Sequence, residues 1–303
     1  MATPHDKVFF GNGIVDAQDA KLGVATSAVL YGLSVYTVFP VHGSSTTRTA
    51  FRLPDHYQRL VESCKIIGID TFASEWTYER FVDAVREVVA VNDPQDEVYV
   101  RATVHVDESI PGTRVRGLHT TVSIFLYDAA PIVPQDGMRL KTSVWRRIPD
   151  NAIPSRAKVN GAYVNSVLAK QDAIDSGFDD CIFLDINGHV CELSAANIFL
   201  VRNGVLITPD ATNDILDGIN RRTILTLAGE EGIEVQERTV DLTELYIADE
   251  VFVSGTSAGV APVHEIDGRA VGSRETGPMT AVLRERHQAV LAGDRTHGWV
   301  TML

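Results

Sequence analysis

Cys181-Ile-Phe-Leu-Asp-Ile-Asn187-Gly188-His-Val-Cys-Glu192-Leu-Ser-Ala-Ala-Asn197-Ile-Phe-Leu-Val201-Arg-Asn203-Gly204-Val205-Leu-Ile-Thr208 sets short apolar runs against two Asn-Gly pairs. Asn-Gly suits a tight hairpin turn, because both central positions require positive φ. Cys181 to Ile186 is therefore predicted to turn into His189 to Leu193, and Asn197 to Val201 into Val205 to Thr208. The result is an antiparallel meander. Working outward, a strand is expected over Leu140 to Arg146 and a helix from about Ala162 to Ser176, stopped by Gly177. On the other side the pattern gives a helix from about Ile219 to Glu231, strands near Val235 and Val251 to Val253, a hairpin at Asp267-Gly268 and a last helix from Pro278 to about Leu291.

Two prolines and a glycine in Asp128-Ala-Ala-Pro-Ile-Val-Pro-Gln-Asp-Gly137 mark an interdomain seam. Residues 1–127 are expected to form a small α+β domain, 128–137 a linker, and 138–303 a larger domain. In the first part, Gly11-Asn-Gly13 separates two apolar runs and predicts a hairpin. A helix opens near Pro54 with Tyr57, Leu60, Val61, Cys64 and Ile67 at helical spacing, and a second runs from about Thr77 to Val91. Val98, Val100, Ala102, Val104 and Val106 then alternate with Tyr99, Arg101, Thr103 and His105. That strand has one apolar face and one carrying recognition groups. Thr120 to Tyr127 is its expected neighbour.

The chain has 303 residues and a net charge of -13, which repels polyphosphate and anionic surfaces. Nucleic acid is not an expected partner. No apolar stretch reaches the roughly 20 residues that span a bilayer, and Met1 to Phe10 lacks a basic region followed by an apolar core. A cytoplasmic protein is expected. Cys64, Cys181 and Cys191 have no CxxC spacing and sit in apolar contexts, so neither a disulfide framework nor a metal site is expected.

GxSxG, HExxH and Walker patterns are absent, and the candidate chemistry is dispersed. Asp217-Gly218-Ile219-Asn220 enters a predicted helix, where free N–H groups and the helix dipole could seat a phosphate. An ordinary helix start fits the same residues. Ser254-Gly-Thr256-Ser257-Ala258 follows a strand and offers several donors, or is simply a polar loop. Glu192 falls on the strand face of Val190, where a buried carboxylate needs a cationic partner. Lys158 sits in a loop just before a helix, where a lysine can form a Schiff base if its surroundings lower its pKa.

These features occur in an order that resembles the class IV aminotransferases of fold type IV, the pyridoxal 5'-phosphate family that includes the branched-chain aminotransferases. Phe51-Arg-Leu-Pro-Asp-His-Tyr-Gln-Arg59-Leu resembles the family's "FRL-DH--RL", which points to Arg59 as a phosphate ligand. Ile153-Pro-Ser-Arg-Ala-Lys158-Val-Asn-Gly-Ala-Tyr163 resembles "IP---K--G-Y", which carries the Schiff-base lysine and a tyrosine near the cofactor's phenolic oxygen. Phe183 to Phe199 resembles "LD-NG-V-E----N-F", whose glutamate, here Glu192, pairs with the pyridine nitrogen. Leu216-Asp-Gly218-Ile219-Asn220-Arg221 resembles "LPGITR", and Ser254 to Ala258 resembles "SGTAA", so Leu216, Gly218, Ile219, Asn220 and Thr256 are implied around the cofactor. Asp217 and Asn220 depart from the usual proline and threonine.

For the substrate, Tyr31-Gly-Leu-Ser-Val35 and Tyr99-Val-Arg101 resemble the branched-chain "YG-SV" and "Y-R". Tyr36-Thr-Val38-Phe39 instead resembles the "YTVF" of (R)-selective amine transaminases. The implied substrate residues are Tyr31, Tyr36, Val38, Tyr99, Arg101, Thr256, Ser257 and Ala258. The resemblance implies an α+β, two-domain enzyme that exchanges an amino group between a small-molecule donor and a 2-oxo acid, acting as a homodimer. A branched-chain or apolar L-amino acid donor heads the expectations. The alternatives are an (R)-amine donor and a lyase of the aminodeoxychorismate type.

Overall fold

A computed structural model describes residues 3–43, 47–128, 130, 132–293 and 297–303. The chain gathers into two units: Met1–Ala130 with Ala157–Ala162 and Leu291–Leu303, and Pro131–Arg156 with Tyr163–Val290. Ala129 and Pro131, inside the expected linker, lie outside the described residues. This division is not the single cut that the sequence suggests. The segment carrying Lys158 belongs to the first unit, because Tyr36 N–H donates to the Lys158 carbonyl (3.0 Å) and Lys158 N–H donates to Ser63 Oγ (3.1 Å). Val159 also forms an isolated bridge with Val35.

The first unit contains β1 (Lys7–Phe10), β2 (Gly13–Asp16), α1 (Ser27–Tyr31), β3 (Ser34–His42), β4 (Thr49–Phe51), α2 (Leu53–Ile67), α3 (Phe72–Glu75), α4 (Tyr78–Asn92), β5 (Val98–Val106) and β6 (Thr120–Asp128). The strands form one sheet, in which Val300–Met302 pairs with β4. Antiparallel register aligns Val35 with Val104, Phe39 with Val100, Ala102 with Ile124 and Val104 with Val122. These residues face one side and pack with Leu60, Cys64, Phe81 and Val85 of α2 and α4 into a continuous apolar core. The same register sends Tyr36, Val38, Tyr99, Arg101, Thr103, His105, Ser123, Phe125 and Tyr127 to the opposite face. The predicted alternation of β5 is present residue for residue.

The second unit contains β7 (Met138–Thr142), α5 (Tyr163–Asp175), β8 (Asp180–Leu184), β9 (Val190–Leu193), β10 (Asn197–Arg202), β11 (Val205–Thr208), α6 (Ile219–Glu230), β12 (Val235–Glu237), α7 (Leu242–Tyr246), β13 (Glu250–Gly255) and β14 (Gly259–Ile266). The strand expected over Leu140 to Arg146 runs from Met138 to Thr142 instead. It ends where the Asp267 carboxylate takes the Thr142 N–H (2.7 Å) and hydroxyl (2.6 Å), leaving Arg147 in the following loop. The predicted meander is present as consecutive antiparallel pairs from β8 to β11. Neighbouring strands run β10-β13-β14-β7-β8-β9, and β9 pairs back onto β10, so the ring closes. Closure removes two free edges.

One side of the ring carries Met138, Leu140, Ile182, Leu184, Ile198, Leu200, Val251, Val253, Ala261 and Val263 in a shared core. On the other side Cys181, Phe183 and Cys191 pack with Ala169 and Ala173 of α5. Phe199 and Phe252 stack there with ring centroids 4.9 Å apart and planes 3° from parallel. All three cysteines are buried and unpaired. Burial pushes the Cys64 thiol up to about 12 and raises Cys181 and Cys191 further, with the charges of Asp180 and Glu192 adding to the shift. Among the described residues no helix is long and apolar enough to cross a membrane.

Phe252 is fully buried, so Phe252→Ala leaves a ring-sized void that its strand neighbours cannot fill. A loss of about 3–5 kcal/mol is expected. Urea denaturation of the variant checks it; a loss under about 1 kcal/mol would show that the stacked pair is dispensable.

Candidate active site

Each unit brings together its own set of polar groups. In the first, alternation along β3 and β5 presents Tyr36, Val38, Tyr99 and Arg101 together. The Arg101 guanidinium carbon lies 3.6 Å from the centroid of the Tyr36 ring, and Lys158 Nζ lies 4.9 Å from the same centroid. Both contacts fall within cation–π range. Arg101 also donates to Asn160 Oδ1 at 2.7 Å. Tyr99 packs at a tilt against Tyr127, centroids 5.6 Å apart. Tyr31 does not join them: it ends α1 and is 51% exposed. Gly32 follows it at φ +64, and a Cβ there would meet Gly161 Cα at 2.8 Å. The close approach ties α1 to the Lys158 loop and tolerates no side chain.

Arg59 comes from α2, whose Pro54 sits in the first turn and whose Arg52 pairs with Asp55 at 2.9 Å. Arg59 is buried, and one guanidinium nitrogen stands 3.4 Å from Thr37 Oγ1, which in turn bonds His56 Nδ1 at 2.7 Å. His105, next but one to Arg101 on its strand face, bonds Ser123 Oγ at 2.8 Å. Burial, helped by the Arg101 charge, lowers its pKa to about 4.

In the second unit, Glu192 has the cationic partner that its burial requires. Arg147 meets Glu192 Oε1 at 2.7 Å, and Oε2 accepts from Asn197 Nδ2 (3.1 Å) and from Leu216 N–H (3.2 Å). The face expected for Glu192 is corrected by the register. Ile182 pairs with Leu193 but Leu184 pairs with Val190, so β9 holds one residue more than β8 over that stretch. With this bulge Val190 and Leu193 both enter the core, while Glu192 turns to the side of its cross-strand partner Asn197.

Asn197 Nδ2 also donates to the Leu216 carbonyl (2.9 Å), so Leu216 is engaged through both backbone groups. Gly218 caps α6 in extended geometry, and a Cβ there would clash with Asn197 Oδ1. Ile219 and Asn220 follow, both buried. Asp217 is occupied by Arg221 (3.2 Å), which itself reaches Glu237 at 2.7 Å. Thr256, Ser257 and Ala258 form the turn between β13 and β14; the Ser257 carbonyl accepts from Ile132 N–H (3.1 Å) and the Ala258 carbonyl from Gln135 Nε2 (3.2 Å). Tyr163, half-buried, begins α5.

Arg147, Asn197 and Asn160 are not among the residues that the sequence singles out for the site. Asn197 lies inside a quoted motif, and its side-chain role could be read from the need to satisfy a buried carboxylate. Arg147 and Asn160 carry no local signal. Among the described residues no group of three or more His, Cys, Asp or Glu is arranged to hold a metal.

His105 is neutral when folded but protonates below pH 6.5 when unfolded, since its folded value is depressed to about 4. Stability is therefore full above pH 6.5 and falls as pH drops toward 4, by roughly 3 kcal/mol in all. His105→Asn should flatten that part of the profile in urea titrations at pH 8 and pH 5; an unchanged slope would locate the pH dependence elsewhere.

The groups in hand fit pyridoxal phosphate: an amine on a loop, an ion-paired carboxylate suited to a ring nitrogen, and a helix start crowded to glycine and suited to a phosphate. Residues 34–266 match the profile of amino-transferase class IV. A probable branched-chain-amino-acid aminotransferase of Aquifex aeolicus is 35% identical over 98% of this chain and 96% of its own. The branched-chain-amino-acid aminotransferase of Pseudomonas aeruginosa is 34% identical over 97% and 95%. Among solved structures, the branched-chain aminotransferase of Thermoproteus uzoniensis with norvaline aligns with a TM-score of 0.93 at 34% identity, over 99% of each chain. The branched-chain amino acid aminotransferase of Thermobaculum terrenum, in its PLP form, aligns at 0.90 and 30%, over 98% of each. With the fold, the site groups and these relatives in agreement, the chain belongs to the class IV aminotransferases and is a transaminase that uses pyridoxal 5'-phosphate.

Proposed function

We propose that this transaminase moves amino groups between branched-chain or other apolar L-amino acids and 2-oxo acids. The observation that carries the reading is Arg101. Among the described residues its guanidinium has no carboxylate partner, and its neighbours on this sheet face include Tyr36, Val38, Tyr99 and Phe125, with Thr103 and His105 further along the strand. A cation amid apolar and aromatic side chains suits a ligand with one carboxylate and an apolar tail. The names of the relatives point the same way.

The cofactor, when bound, supplies an electron sink for charge that develops at the substrate carbon. Lys158 is the residue assigned to hold it covalently and then, as a free amine, to carry a proton to and from that carbon. Glu192, fixed by Arg147 and Asn197, is assigned to the ring nitrogen, whose hydrogen bond it would accept. The N–H groups of Gly218, Ile219 and Asn220, with Arg59 and Thr256, are assigned to the phosphate, and Tyr163 to the phenolic oxygen. Leu216 serves by fastening Glu192 and Asn197. Arg101 and Tyr99, with the backbone of Thr256, Ser257 and Ala258, are assigned to the substrate carboxylate.

A homodimer is part of the reading. It is supported by the family resemblance and by Val164, Val167 and Leu168, three exposed apolar residues on one stripe of α5. A second reading, an (R)-amine donor, is supported by Tyr36 and Val38 standing on the same face as Arg101.

Lys158→Ala should lower turnover by about a thousandfold or more and remove the visible band of covalently held cofactor. Glu192→Gln should keep cofactor bound and lose about a hundredfold in rate. A fast Lys158→Ala enzyme would sink the assignment.

The donor is read from the visible spectrum as L-leucine, L-glutamate and (R)-1-phenylethylamine are added separately without acceptor. Bleaching by L-leucine or L-glutamate is the expected result. Bleaching by the (R)-amine alone would replace this reading with the second one.

A further inference from the structure

A carboxylate anchor must be held in place without having its charge cancelled. The environment of Arg101 meets both conditions with neutral groups. One edge of the guanidinium donates to Asn160 Oδ1 at 2.7 Å, and one of its faces lies on the Tyr36 ring, 3.6 Å from carbon to centroid. Asn160 is itself immobilised. Its backbone N–H donates to the Ser34 carbonyl (2.9 Å) and its Nδ2 reaches Ser34 Oγ at 2.7 Å, with Ser34 buried at the start of β3. The amide orientation follows from the chemistry, because arginine can only donate; Oδ1 must face Arg101 and Nδ2 must face the serine. Two other titratable groups stand near: His105, neutral above about pH 4, and Lys158, whose Nζ lies 4.9 Å from the same Tyr36 ring and which is no anion to cancel the guanidinium charge. An aspartate in place of Asn160 would make a stronger bond to Arg101, and in doing so would fill the role kept for the substrate.

We propose that Asn160, braced by Ser34, is a positioning residue for substrate carboxylates: its neutral amide aims the Arg101 guanidinium while leaving the positive charge open to the ligand. The proposal rests on the reading of Arg101 as the carboxylate anchor. It extends that reading to a residue that acts through Arg101, and all the groups it invokes lie in the first unit.

The test uses the holoenzyme and four variants, Asn160→Ala, Asn160→Asp, Ser34→Ala and Arg101→Ala. The readouts are kcat and KM for 2-oxoglutarate and the inhibition constant of 4-methylvalerate, a carboxylate without an amino group. Asn160→Ala should raise KM and the inhibition constant about five- to tenfold with kcat within about twofold, as expected for a lost hydrogen bond to a charged group. Asn160→Asp should raise both further, and Ser34→Ala should raise them about twofold. Arg101→Ala should exceed all three. If Asn160→Ala and Ser34→Ala leave both constants unchanged while Arg101→Ala raises them, the positioning role is wrong and the anchor stands. If Asn160→Asp behaves as the unaltered enzyme, neutrality is not what the site requires and the proposal falls. If Arg101→Ala itself changes neither constant, the anchor reading fails and takes the proposal with it.

Discussion

One additional residue in β9 decides what the second unit can do. The ring of strands closes where Glu192 pairs with Asn197, and the bulge just before that pair lets Val190 and Leu193 both serve the core while Glu192 turns away from it. Without the bulge, strict alternation would leave the carboxylate among leucines and valines, far from any cation. With it, Arg147, Asn197 and Leu216 converge on the two carboxylate oxygens. The same asparagine crowds Gly218, so the start of α6 is held to one residue type by the element that orients the glutamate. Carboxylate and helix terminus are thus coupled through a single amide side chain.

The first unit solves a different problem by plain period-two alternation. One face of the sheet belongs to α2 and α4; the other gathers aromatic rings, an arginine and the Lys158 amine. The groups that hold Arg101 are neutral: an asparagine braced by a serine, and a tyrosine ring, with an uncharged histidine further along the strand. The second unit balances Glu192 with a full opposite charge, and the first leaves Arg101 with none among the described residues. On the roles proposed above, that difference would separate a group fixed against a permanent cofactor from one that accepts ligands in turn.

Much of this is legible in the sequence. The two Asn-Gly pairs announce the meander, the alternation from Val98 to Val106 announces a sheet with unlike faces, and the dispersed motifs announce the family. Long-range register is not legible in the same way. A bulge is a property of two strands and leaves no mark in one of them, so simple alternation puts Glu192 on the wrong side of β9. The pattern carries a strand as far as Arg146, next to Arg147, whereas the Asp267 carboxylate, 125 residues from Thr142, stops that strand early and frees Arg147 to reach Glu192 from a loop. Position after the seam assigns Lys158 to the second unit, yet its backbone bonds are to Tyr36 and Ser63.

The three thiols lead somewhere else. Cys64, Cys181 and Cys191 are sealed in apolar packing and hold their protons well beyond the ordinary thiol range. Electrophiles and peroxide attack the thiolate, so the native cysteines are chemically silent under conditions in which an exposed thiol reacts. A cysteine introduced on the surface would then be the one reactive thiol in the described structure. A fluorophore or spin label could be attached there without first stripping the protein of its own cysteines.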